Sequence, residues 1–280
     1  MPAELRARRD ARARVGGALL AVVVLVALLA PLVAPLDPTA QRGVIVTRFL
    51  PPGTTDVFGA FHLLGTDRLG RDVWSRLAYG ARISLGVGVL AVLLSVGIGV
   101  LVGAASALAR GVIRTLLLAI TDFALALPRV VLLLLLAALW SPSVVLVVLV
   151  LGLTGWMTIA RLVHAEARGM LERPFVEAAL ALGAGRRRLL LRHLVPNVAT
   201  PVIVAAALGV GNAILLEAGL SFLGMGVQPP APSWGNMIAS GRDALVNAPW
   251  VAVAPGAALV LVVVACTLLG DALQDRLGRR

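Results

Sequence analysis

A recurring length constrains this chain more than any single residue. Six apolar runs, at 15–36, 83–109, 113–140, 143–160, 198–223 and 251–269, are separated by shorter polar stretches. At 1.5 Å of rise per residue, about 20 residues of helix cover a hydrocarbon layer about 30 Å thick. In lipid every backbone N–H and C=O must be satisfied within the protein, which leaves helices as the economical way to span. The expected fold is therefore an all-α membrane protein with six transmembrane helices. The composition agrees: 59% of residues are hydrophobic, 14% are charged, and the mean hydropathy is +0.96. The first run is too long for a signal-peptide core and lacks a small-x-small cleavage site, so it is expected to remain as a span.

The arginines orient these spans. All 25 basic residues are Arg, with no Lys, and the net charge is +11. Five of them crowd the 1–14 tail ahead of the first span. Placing that tail in the cytoplasm puts 110–114, 161–193 and the C-terminus inside, and 37–82, 141–143 and 224–249 outside. Seventeen Arg then lie inside and seven outside, with Arg129 in a span. That is the bias expected of cytoplasmic loops. The basic charge flanks lipid-spanning runs, so nucleic acid is not an expected partner. The lack of Lys also excludes a P-loop, whose Lys reaches the terminal phosphates. If ATP drives this chain, another subunit hydrolyses it.

The order along the chain is a basic cytoplasmic tail (1–14), a first transmembrane helix (15–36), an extracytoplasmic segment (37–82), a core of five transmembrane helices (83–272) with a long cytoplasmic segment at 161–196, and a second tail (273–280). Within 37–82 an amphipathic helix is expected over 68–82, capped by Thr66 or Asp67, with Asp67, Arg71 and Asp72 in local capping and ion pairs. Trp234 and Trp250 are expected as interface anchors. Cys266, the sole cysteine, sits in an apolar run and is expected as a small core residue.

Three charged residues fall within the spans, where charge is costly and usually faces a bundle interior or a water path. Asp122 lies about 14 Å along its run at 1.5 Å per residue. Arg129, seven residues on, is expected on the same helix face. Glu217 lies about 30 Å along from Asn197, at the outer mouth. A translocation-pathway or gate role is open for all three. The competing roles are a structural pair for Asp122 and Arg129 and a solvated rim carboxylate for Glu217. Enzyme chemistry has little support: 219–223 reads GLSFL, without the final Gly of a nucleophile elbow, and His62, His164 and His193 lie in or beside loops.

The stretch 174–197, PFVEAALALGAGRRRLLLRHLVPN, reads as a helix, a glycine corner and a second, basic helix. Pro174 and Glu177 suit a helix start, and Gly183 and Gly185 a stop. Glu177-Ala178-Ala179, followed at fixed spacing by Gly183 and Pro196, resembles the EAA loop of ATP-binding-cassette (ABC) importer permeases. The ending from Arg192 to Asn197 is similar to the dipeptide/oligopeptide/nickel branch of that family, with Val195 departing from a preferred leucine. The words LGTDRLGRDV at 64–73, YGARISL at 79–85 and LSFLG at 220–224 resemble the same branch.

This resemblance implies the type I ABC importer permease fold, with a cytoplasmic EAA-type coupling loop. It implies a permease subunit forming half of a translocation pathway for peptides or a related solute such as nickel, in a bacterial or archaeal cytoplasmic (inner) membrane. Glu177, Ala178, Ala179, Gly183 and Gly185 would then couple to the ATPase. The implied partners are a homologous second permease, two ATP-binding subunits and an extracytoplasmic solute-binding protein, with ATP and Mg bound by the ATPase subunits and no cofactor in this chain. The rival readings are a single-chain secondary transporter, which would often show inverted repeats, and an intramembrane enzyme.

Overall fold

The computed structural model describes residues 3–174 and 195–277. The first helix, α1 (Ala3–Leu28), carries the basic tail directly into the first span, and a short α2 (Ala30–Val33) follows across Pro31. A small module comes next, the outer module, at the end of the bundle that the arginine balance predicts to lie outside. It comprises α3 (Val44–Thr47) and an antiparallel hairpin of β1 (Thr54–Thr55) and β2 (Phe61–His62).

The second span, α4 (Val73–Leu108), runs unbroken for 36 residues. Its cap is Asp72, whose side chain accepts the Ser75 N–H at 2.7 Å, rather than Thr66 or Asp67. The expected separate helix over 68–82 is therefore the first turns of α4. Asp67 instead pairs with Arg71 at 2.7 Å, as anticipated, and also with Arg76 at 3.6 Å.

One face of α4 is built from small buried residues: Gly80, Ser84, Gly88, Ala91, Ser95, Gly99 and Gly103 recur every three or four positions. Small residues let helix backbones approach closely where lipid supplies no hydrophobic drive for association. A Cβ at Gly99 would sit 2.6 Å from Ile159, and one at Gly103 would sit 2.5 Å from the Ala160 carbonyl.

The third run, 113–140, is not one straight helix. It divides into α5 (Gly111–Ala126) and α6 (Arg129–Ala138), inclined at 86°. The fourth run consists of α7 (Val144–Leu153) and α8 (Trp156–Leu171), interrupted at Thr154–Gly155, and extends well past residue 160. Then come α9 (Val195–Phe222), α10 (Trp234–Gly241), a 3-10 turn (Arg242–Ala244) and α11 (Trp250–Leu277). Among the described residues five helices are long and apolar enough to cross a membrane, and the bent pair makes six if it counts as one span.

The core lies in three larger patches along this bundle and a small one where Ala30 and Ala34 meet Ala78. Ile214, Trp234, Val251 and Val262 join α4, α9, α10 and α11 at the outer end; Leu133, Val147 and Leu151 pack α6 and α7 onto α4 and α9; Val163, Ala167 and Val198 close α8 against α9. Cys266 is buried in the first patch, as its sequence setting predicts.

Trp234, expected as an interface anchor, is instead a core residue. Trp234 is fully buried and donates its indole N–H to the Leu77 carbonyl at 3.1 Å, and Trp250 donates to the Thr66 carbonyl at 3.2 Å. Both fasten the outer loops to the helix ends. Arg76 straps down the turn that precedes the outer module, donating to the Pro38 carbonyl at 3.0 Å, and Arg82 holds the end of α1, donating to the Leu28 carbonyl at 2.7 Å. Of the six arginines in 37–82, these two satisfy backbone carbonyls left free where α1, α2 and the following turn end.

Candidate functional site

The break at Leu127–Pro128 organises the centre of the molecule. Proline has no N–H to donate to the preceding turn, and its ring disfavours helical geometry in the residue before it. Leu127 is accordingly extended, with φ −75° and ψ 133°. Helix α6 restarts when the Leu132 N–H bonds the Pro128 carbonyl at 3.1 Å. Asp122 and Arg129, expected on one helix face, therefore lie on different helices.

Their surroundings differ as well. The Asp122 carboxylate accepts from Arg161 at 3.1 Å, joining α5 to α8, and both side chains are at least half exposed. Arg129 begins α6 and is half-buried. Its Nε is enclosed and has no hydrogen-bond partner among the described residues.

Arg129 borders a cavity of about 360 Å³. Helices α4, α7, α8 and α9 supply the remaining walls, which are mostly apolar, with Ser95, Thr158 and Asn212 as uncharged polar groups. Ser95 is committed to the Gly152 carbonyl at 3.0 Å. A largely apolar chamber with a few convergent polar groups is the usual form of a small-solute site. The sequence reading missed Ser95, Thr158 and Asn212. Their signal was present as isolated polar residues inside apolar runs, but only the folded bundle brings them to one chamber.

Glu217 is not a solvated rim carboxylate. It is fully buried and accepts hydrogen bonds from Ser84 of α4 at 3.0 Å and Ser221 of α9 at 2.7 Å. The same hydroxyls accept backbone N–H groups of the outer loop: Ser84 from Trp234 at 3.3 Å and Ser221 from Val227 at 2.9 Å. Glu217 is thus the centre of a knot joining α4, α9 and the 224–249 loop. The sequence could not show the loop folding back over it.

The expected coupling residues, Glu177, Ala178, Ala179, Gly183 and Gly185, lie outside the described residues. What is described are the two ends of that segment. Helix α8 closes with an Arg168–Glu172 pair at 3.0 Å, and α9 opens at Val195. Between these ends and α11 lies a cavity of about 580 Å³, edged by Glu166, Asn197 and Gln274. Nearby, Ser106 of α4 and His164 of α8 are hydrogen-bonded at 2.8 Å.

Residues 95–280 match the family described as binding-protein-dependent transport system inner membrane component. The chain belongs to that family. Residues 5–52 also match the N-terminal TM domain of oligopeptide transport permease C. The permease is 39% identical over 282 aligned residues to a Brucella suis protein named as a peptide transport system permease, covering 100% of this chain and 92% of that one. It is 40% identical over 257 residues to the Pseudomonas aeruginosa di/tripeptide transport system permease DppC, covering 91% of this chain and 84% of that one. Among solved structures, the methionine ABC transporter MetNI in an inward-facing form superposes with a TM-score of 0.56, at 20% identity, over 72% of this chain and 95% of that one. That likeness establishes the type I permease fold. A permease of this family is a transport component, not an enzyme, and the ATPase is a separate subunit.

Proposed function

We propose that this permease forms half of the translocation pathway of an ABC importer for di- or oligopeptides. Its near full-length identity to peptide permeases of two organisms carries this reading. The geometry supports it: the bent α5–α6 pair opens a chamber beside four other helices, and Arg129 brings a charge to its wall. By this reading the chain sits in a bacterial or archaeal cytoplasmic membrane with both termini inside. A homologous second permease completes the pathway, two ATP-binding subunits dock from the cytoplasm, and an extracytoplasmic binding protein delivers the solute. ATP and Mg belong to the ATPase subunits. Glu177, Ala178, Ala179, Gly183 and Gly185 form the contact that carries ATPase closure into the membrane. Ala178 and Ala179 keep that helix thin enough for a groove, and Gly183 and Gly185 allow a sharp corner.

The test is reconstitution of the permease with its partner permease, ATPase subunits and binding protein in proteoliposomes. ATP-dependent uptake of labelled di- and tripeptides is expected. A complex that assembles and hydrolyses ATP in response to its loaded binding protein, yet takes up no peptide of any length, excludes the peptide reading and leaves the importer.

A further inference from the structure

Arg129 is a cation at the break of the bent α5–α6 pair, and its Nε has no protein partner among the described residues. The two carboxylates within the apolar runs are committed elsewhere: Asp122 to Arg161, and Glu217 to Ser84 and Ser221. A guanidinium in such a place is normally paired, because the low-dielectric surroundings make an unmatched charge expensive. Its position is fixed from behind. Pro128 forces the break, and α6 is held to the bundle by Leu133 and Ala137, which are buried against α4 and α7.

We infer that Arg129 is the solute-recognition residue of the chamber and that it pairs with a carboxylate of the passing peptide. This rests on the peptide-importer reading and adds the chemical group recognised. The 360 Å³ chamber is of a size to take a small peptide's end rather than a folded chain. Arg129 stands where three helices bring Ser95, Thr158 and Asn212 to the same space. A planar guanidinium matches a carboxylate with two parallel N–H···O bonds, which gives orientation as well as attraction. Thr158 and Asn212 are placed to meet the neutral amides that follow the terminal carboxylate. The surrounding apolar wall accepts varied side chains, so recognition falls on the group that all peptides share.

Uptake by the full reconstituted importer tests this, with dialanine and trialanine compared with their C-terminal amides, each at concentrations saturating the binding protein. Wild type is expected to carry the acids faster than the amides. Arg129→Gln is expected to slow acid uptake by roughly ten- to hundredfold, the weight of a hydrogen bond to a charged group, and to leave amide uptake unchanged. Arg129→Lys, which keeps the charge but not the planar fork, should recover part of the acid preference. If wild type carries neither acid nor amide, the peptide-importer reading itself fails. If wild type carries peptides and Arg129→Gln slows acid and amide alike, or neither, the recognition role is overturned. Loss of the second permease from Arg129→Gln complexes, with retention in Arg129→Lys, would overturn it in favour of a pair with a partner acid.

Discussion

Ser84 and Glu217, 133 residues apart, share a hydrogen bond of 3.0 Å at the outer end of the bundle, and the same serine hydroxyl accepts the Trp234 N–H. Because serine hydroxyls surround the carboxylate, an acceptor-only side chain is what this position needs. Glu217→Gln turns one of its oxygens into a donor facing a hydroxyl hydrogen. It should lower stability by about 1–3 kcal/mol. Glu217→Ala also leaves a void and should cost about 2–4 kcal/mol. Thermal unfolding of the purified complex in detergent measures both. Unchanged midpoints would mean that the outer loop is held by Trp234 packing alone.

Asp122 presents the opposite case. Its pair with Arg161 is at least half exposed on both sides, where ion pairs contribute less than about 1 kcal/mol. Asp122→Ala should therefore leave the complex assembled and its unfolding midpoint nearly unmoved, while slowing solute uptake by altering the approach of α5 to α8. The Asp122→Arg, Arg161→Asp exchange should regain part of the lost rate. A variant that fails to assemble would make the pair structural.

The outer hairpin should loosen in acid. Burial alone would raise the Asp56 carboxyl, but the Ala60 N–H, the His62 ring and the Phe58 N–H outweigh it and hold it below its ordinary value of 3.8. A carboxyl lowered on folding stabilises fully above the ordinary carboxyl range, and that share is lost as pH falls through its folded value. Hydrogen exchange at Gly53 and Asp56, whose N–H groups bond the His62 and Ala60 carbonyls at 2.9 Å, should lose protection below about pH 4 after correction for intrinsic rates. Asp56→Asn should show weak protection already at neutral pH, with no further acid-dependent loss.

The coupling segment admits a direct trial. Gly183→Asp places a charged side chain at the proposed corner. It should leave membrane insertion intact and abolish either ATPase binding or its stimulation by loaded binding protein. Normal values for both would reduce 161–196 to a connector. Ala179→Pro should act in the same direction, at about 3 kcal/mol of helix stability.

What the sequence revealed was whatever depends on length and local pattern. Six apolar runs foretold the spans, and the spacing of Asp67, Arg71 and Asp72 foretold a locally paired cap region, although the cap itself fell to Asp72. Hydropathy could not distinguish a straight run from a broken one, because 113–140 stays apolar through the bend. Pro128 was the available sign, and its effect on Leu127 turned Arg129 away from Asp122. The burial of Glu217 was beyond local pattern, since it depends on Ser84 and on the loop that follows α9. Trp234 and Trp250 looked like amphipathic residues at a membrane surface, yet their indole N–H groups meet carbonyls of distant segments.

Helix α4 has a mechanical consequence. At 36 residues it is about 54 Å long, far more than a hydrocarbon layer of about 30 Å requires. It has neither proline nor interruption at which to fold. A rod of this kind has no elbow, so it can respond to force at one end only by rocking or sliding as a whole. The outer module is tied to its first turns where the His62 ring meets the Asp72 carboxylate at 2.9 Å, and Arg76 and Arg82 fasten the turn before that module and the end of α1, while Gly99 and Gly103 near its other end rest on α8 with almost no clearance. The glycine face then acts as a bearing, and the outer module as a load carried on the far end of the rod. A push transmitted through α8 at one end of α4 must register at the other end without passing through any flexible joint of the rod.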